Sequence, residues 1–101
     1  MDQHGDTELV RAVRGGDRSA YTVLVRRHYK SVFLVCLGVV GNTHDAEDVA
    51  QETMIKGLEK IRQLRKAGQF GAWIVRIARN LSINRANRTI TSTGRAPMAQ
   101  T

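Results

Sequence analysis

A chain of 101 residues suits one domain, which buries somewhat over about 60% of its unfolded surface and leaves no room for a second core or a deep enclosed cavity. The single cysteine, Cys36, excludes an internal disulfide and fits a reducing compartment. The net charge of +7 is one-sided: residues 1–59 hold nine acidic and seven basic side chains, residues 60–101 nine basic and no acidic ones. That asymmetry selects a polyanionic partner for the second half over a merely solvated basic surface.

In chain order the pattern is helical throughout. The opening MDQHGDTELV is polar and acidic, so no signal peptide is expected. Asp6 is placed to cap a short helix whose Leu9, Val10 and Val13 share a face, with Gly15-Gly16 ending it. Asp17 then caps a longer helix, along which Tyr21, Leu24, Val25, His28, Val32, Val35, Cys36 and Val39 draw an apolar stripe. Its most apolar stretch, SVFLVCLGVVG, is about half the length needed to cross a bilayer. A buried helix segment is expected there, with no membrane partner and a cytoplasmic location. After Gly41-Asn42 a third helix starts near Thr43 to Asp45, its acidic residues favoured by the helix dipole, with a stripe of Ala46, Val49, Ala50, Thr53, Met54, Leu58 and Ile61. LRKAGQ, residues 64–69, interrupts the pattern before a fourth helix with Phe70, Trp73, Ile74, Ile77, Ala78 and Leu81 on its apolar face. TITSTGRAPMAQT loses the periodicity and carries Gly, Pro, Ser and Thr. The expectation is an all-α, compact bundle of about four helices over residues 1–88 and a flexible linker or tail over 89–101.

Two polar faces stand out on these helices. Opposite the stripe of the third lie Glu47, Asp48, Gln51, Glu52, Lys56 and Glu59. Glu52 and Lys56 form an i,i+4 pair worth a few tenths of a kcal/mol, which leaves Glu47 and Asp48 without a local partner. A solvated face and a protein-docking face through Asp48, Gln51 and Glu52 are both open readings. On the fourth helix Arg76, Arg79, Asn80 and Asn84 lie away from the stripe, and Arg85 and Arg88 extend the basic edge. Guanidinium forks hold phosphate, and Arg or Asn can pair with base edges. Arg65 and Lys66 beside Gly68 suit a loop that shapes a pocket for a nucleotide turned out of its stack. For Phe70 and Trp73 core packing is the larger part of the expectation, although an aromatic that packs on one edge can offer the other to a base.

DAEDVAQE, followed at the expected distance by F-x-x-W-I-x-x-I-A-R-N (Phe70, Trp73, Ile74, Ile77, Ala78, Arg79, Asn80), resembles region 2 of the bacterial sigma-70 family. The opening D-x-E-L-V with Gly16-Asp17 points to its extracytoplasmic-function group, and the resemblance covers roughly residues 6–88. It implies that the acidic helix docks on the clamp helices of the largest RNA polymerase subunit, with Gln51 and Glu52 matching the family's docking pair and Asp48 one turn earlier. It implies that the basic helix and the loop before it bind the non-template strand of the promoter −10 element and help melt it. Arg76, Arg79 and Asn80 match DNA-facing positions at its upstream edge. An anti-sigma factor is a further implied partner.

The sequence departs from that pattern in places. Met54 and Leu58 stand where the family often has Phe and Trp, which keeps the core apolar but less rigid. Asn84 replaces a common Asp and so removes a negative charge beside the DNA-facing surface. Family members carry a second helical domain that reads the −35 element, whereas this sequence ends in what resembles the linker to it, so an excised or truncated piece is expected. The rival reading is a stand-alone helical interaction module whose basic half binds an acidic protein. No enzyme, metal site or cofactor is expected: His4, His28 and His44 are scattered, Cys36 lies on an apolar stripe, and there is neither metal-ligand spacing nor a phosphate-binding Gly loop. His28 reads as a packed core or boundary residue.

Overall fold

The computed structural model describes the backbone of residues 5–93 and the side chains of residues 5–88. Four α-helices are present, α1 (Asp6–Arg14), α2 (Arg18–Val40), α3 (Thr43–Lys60) and α4 (Phe70–Thr93), and the described residues contain no strand. Two single-turn 3-10 helices, Ile61–Gln63 and Ala67–Gln69, join α3 to α4. The all-α expectation holds. Residues 89–93 continue α4 beyond the point where apolar periodicity is lost, because backbone hydrogen bonds alone can carry a helix forward. Residues 94–101, the rest of the expected tail, lie outside the described residues, as does His4.

The helix ends show what the local chemistry decides. The Asp17 carboxylate accepts from the Ser19 backbone N–H at 3.0 Å and so caps α2, and these bonds, that from the Ser19 hydroxyl foremost, lower its pKa. Gly41 closes α2 in the left-handed region, φ 83°, where a side chain would be strained. Asn42 caps α3 by accepting from Asp45 N at 2.8 Å. The expected cap at Asp6 is corrected. Gly5 occupies the cap position of α1, and Asp6, its first residue, spends its carboxylate on α2, with Arg27 at 2.7 Å and His28 at 2.8 Å.

Close approaches fix how α2, α3 and α4 run. A Cβ on Gly71 would meet His28, and Ser82 lies beside Cys36, so α2 and α4 are parallel. A Cβ on Gly57 would stand 2.5 Å from Ile74 Cδ1 and 2.8 Å from the Tyr21 hydroxyl, while Asp45 pairs with Arg85 at 3.4 Å, so α3 is antiparallel to both. The core between them is built from Leu24, Val32, Val49, Phe70 and Ile74, with Leu9 and Val10 of α1 closing one side. Cys36, Thr53 and Ser82 are fully buried where the three helices meet; burial pushes the Cys36 thiol up, which makes it unreactive. The apolar stretch of α2 is buried on one side only. Val32 and Cys36 are sealed, but Leu34 is 53% exposed and Val39 lies at the edge. Among the described residues no helix is long and apolar enough to cross a membrane.

Candidate nucleic-acid cleft and docking face

The segment between α3 and α4 folds back on itself through its two 3-10 turns and leaves a cleft of about 300 Å³ against the first turns of α4. Four residues of the expected set line it: Arg65 and Lys66 from the loop, Trp73 and Arg76 from α4. Gln63, Leu64, Gln69 and Ala72 complete the wall, and none of the lining residues is acidic. A volume near 300 Å³ is the lower end of what small-ligand sites use, enough for a flat ring rather than a whole nucleotide. Three cations beside uncharged lining residues suit an anionic ligand.

Trp73 is half-buried; its ring leans on Phe70, with centroids 5.8 Å apart, and it lines the cleft. It therefore packs and stays available for stacking at once. Phe70 does not. It is fully buried, with His28 and Tyr21 rings at 5.4 and 6.2 Å, so no face remains for a base and it leaves the set of DNA-facing candidates. Its ring is the floor on which Trp73 rests.

Beyond the cleft, Arg79, Asn80, Asn84 and Arg88 are exposed along α4, in line with Arg76 at steps of three and four. Arg85 differs. It is partly buried and donates to Asp45 at 3.4 Å, which ties α4 to the start of α3. The sequence places no carboxylate after Glu59, yet the fold brings one to Arg85. This expected DNA contact therefore already holds a carboxylate partner within the domain.

On α3 the polar face is turned outward. Glu47, Asp48 and Gln51 are exposed and Glu52 partly so. The expected Glu52–Lys56 pair is replaced: Lys56 approaches Glu59 at 3.9 Å, one turn further on. Asp48, expected to lack a local partner, has His44 at 3.8 Å, a contact ionic only when the imidazole is protonated. Ile55, 59% exposed beside Gln51 and Glu52, belongs to the same surface. Sequence reasoning passed over it, although its position just off the stripe of Met54 and Leu58 was the available signal. Gln63 and Gln69 were missed likewise; flanking a basic pair, they are the residue type that reads base edges.

Comparison with known proteins agrees with the all-helical fold. The family model described as sigma-70 region 2 matches residues 24–89. The ECF RNA polymerase sigma factor SigW of Bacillus subtilis is 33% identical over 79 residues, 78% of this chain and 42% of that protein. The RNA polymerase sigma-H factor of Pseudomonas aeruginosa is 32% identical over 96% of this chain and 48% of its own length. The ECF RNA polymerase sigma-E factor of Haemophilus influenzae is 34% identical over 95% and 48%. This chain thus spans about half the length of the curated relatives it matches. An all-helical bundle with an acidic helix face and a basic, aromatic-walled cleft belongs, on these matches, to the sigma-70 region 2 family, in its extracytoplasmic-function group.

Proposed function

We propose that this chain is the promoter-opening domain of an RNA polymerase sigma factor, acting in the bacterial cytoplasm without bond chemistry of its own. The outer face of α3 (Asp48, Gln51, Glu52, with Ile55 alongside) docks on the clamp helices of the largest polymerase subunit. The cleft and the exposed edge of α4 hold the non-template strand of the −10 element. The observation that carries this reading is the cationic cleft of about 300 Å³ walled by Trp73. An anti-sigma factor covering the same two surfaces follows from the family likeness.

The mechanism is a difference in binding. Turning a base out of the duplex costs a few kcal/mol, and stacking on an aromatic returns about 1–3 kcal/mol per base. A domain that binds the open strand better than the duplex shifts the equilibrium by that difference in affinity. One cleft supplies too little to open a duplex alone, so polymerase docking supplies position and further contacts. Separate helices for the two tasks keep the carboxylates of α3 from repelling phosphate.

The test compares strand binding by the wild type and the double variant Arg79→Ala, Asn80→Ala, using −10-like and random single strands. A larger loss on the −10-like strand is expected; an equal loss on both reduces the two residues to phosphate anchors. In parallel, Gln51→Ala with Glu52→Ala should weaken association with polymerase core while helicity stays intact. Undiminished association removes the docking role.

A further inference from the structure

Helix α1 contributes nothing to the lining of the cleft, yet it holds the segment that forms the cleft wall. Arg14, in its last turn, reaches the far end of α3. Its Nε and Nη2 donate to the Ile61 carbonyl at 3.3 and 3.1 Å, and Nη2 also donates to the Leu64 carbonyl. Those two oxygens flank Arg62 and Gln63, so the guanidinium fork spans the first 3-10 turn from outside. Arg62 answers by donating to the Arg14 carbonyl at 2.9 Å. The second 3-10 turn also meets α1: a Cβ on Gly68 would stand 2.9 Å from the Thr7 hydroxyl oxygen. At the other end, Asp6 fastens α1 to α2 through Arg27 and His28.

The chemistry explains the choice of arginine. The C-terminal end of a helix carries its negative dipole end, and the cap of α3 is Ile61 rather than a glycine; its carbonyl accepts from the Leu64 backbone N–H at 3.2 Å and has room for a second donor. A planar fork with several donors reaches this oxygen and that of Leu64, just past the 3-10 turn, together, which one ammonium on a flexible stem does far less well. We infer that Arg14 is a positioning residue for nucleotide recognition: by clamping Ile61 and Leu64 it fixes the loop wall, Gln63 to Lys66, at the spacing that distinguishes one inserted base from another. This rests on the reading of the cleft as a nucleotide site.

The experiment measures binding of the chain to labelled −10-like single strands varied one base at a time, for the wild type, Arg14→Ala and Arg14→Lys. Both variants should lose roughly tenfold in discrimination between best and worst base, the size of one good base-edge contact. Arg14→Lys, which keeps the charge, should retain wild-type affinity for a random strand and its salt dependence. Hydrogen exchange should quicken across residues 61–69 in both variants while α2 to α4 keep their protection. If both variants discriminate as the wild type does, or Arg14→Lys behaves as the wild type in discrimination and exchange, the positioning role is overturned and the cleft reading stands. A wild type with no base preference overturns the cleft reading itself, and this inference with it.

Discussion

The outer face of α3 and the cleft before α4 are both polar surfaces, but they are made in different ways. The first is a convex stripe on one regular helix, where Asp48, Gln51 and Glu52 take their places from a spacing of three and four alone. The second is concave. Its walls come from two 3-10 turns and from Trp73 resting on a buried Phe70, and its frame from a helix about fifty positions earlier. A surface read off one helix tolerates loosening of the core, whereas a cleft assembled from distant segments does not. The two should therefore fail at different depths of damage.

The largest blow falls on Phe70. It is fully buried between α2 and the start of α4, so Phe70→Ala should cost about 3–5 kcal/mol, much of the stability of a small domain. Thermal or urea unfolding measures the loss. In the population still folded, strand discrimination should vanish before polymerase association does. Loss of both functions in proportion to the folded fraction would erase the contrast between local and assembled surfaces.

How far the sequence disclosed these surfaces follows from the same distinction. The starts of α2 and α3, the Asp17 cap and the outward face of α3 were legible because each depends on residues within a turn of one another. Family motifs joined Arg76, Arg79 and Asn80 to a DNA role that their exposure permits. What depended on the third dimension was misread or missed. Asp6 resembled a cap and is an interhelical ion-pair partner; Arg85 resembled a free cation and is tied to Asp45. Phe70 and Trp73 are three positions apart on one apolar face, and only packing shows that one is floor and the other wall. Arg14 carried no signal, since the carbonyls it clamps lie 47 and 50 residues away.

Gly57 offers a smaller and sharper intervention. It lies on the inner side of α3, where an added methyl would run into Ile74 of α4 and the Tyr21 hydroxyl of α2. Gly57→Ala gains helix propensity but forces α3 outward, a net loss of about 1–3 kcal/mol as for other overpacked cores. Neither surface contains Gly57, so each should keep its own chemistry while their mutual spacing shifts. Binding to polymerase core and to an isolated strand should stay near wild type. Activity that needs both at once, opening of a −10 duplex by the assembled complex, should drop. Wild-type opening by the folded variant would mean that the spacing of the two helices is not critical.

The finest change is the removal of one oxygen. Tyr21 donates its phenolic hydrogen to the Met54 carbonyl across the same contact, and burial pushes its pKa up to about 12. In the unfolded chain that group ionises near its ordinary value of about 10, so between those values the unfolded state holds fewer protons than the folded state. Stability from this source is fully present below pH 10 and is lost as pH rises toward about 12. Tyr21→Phe should cost about 1 kcal/mol at neutral pH through the missing hydrogen bond. It should also flatten the alkaline decline, leaving the part due to the buried Cys36 thiol and to Tyr29, whose pKa is raised by burial first and then by Glu47 and Cys36. Urea midpoints measured from pH 8 to 12 would show the two curves converging, because the variant has lost what the wild type loses only in base. Parallel curves would mean that the Tyr21 ring takes up solvent before it ionises, and that α2 and α3 part there more easily than the buried core beneath the cleft implies.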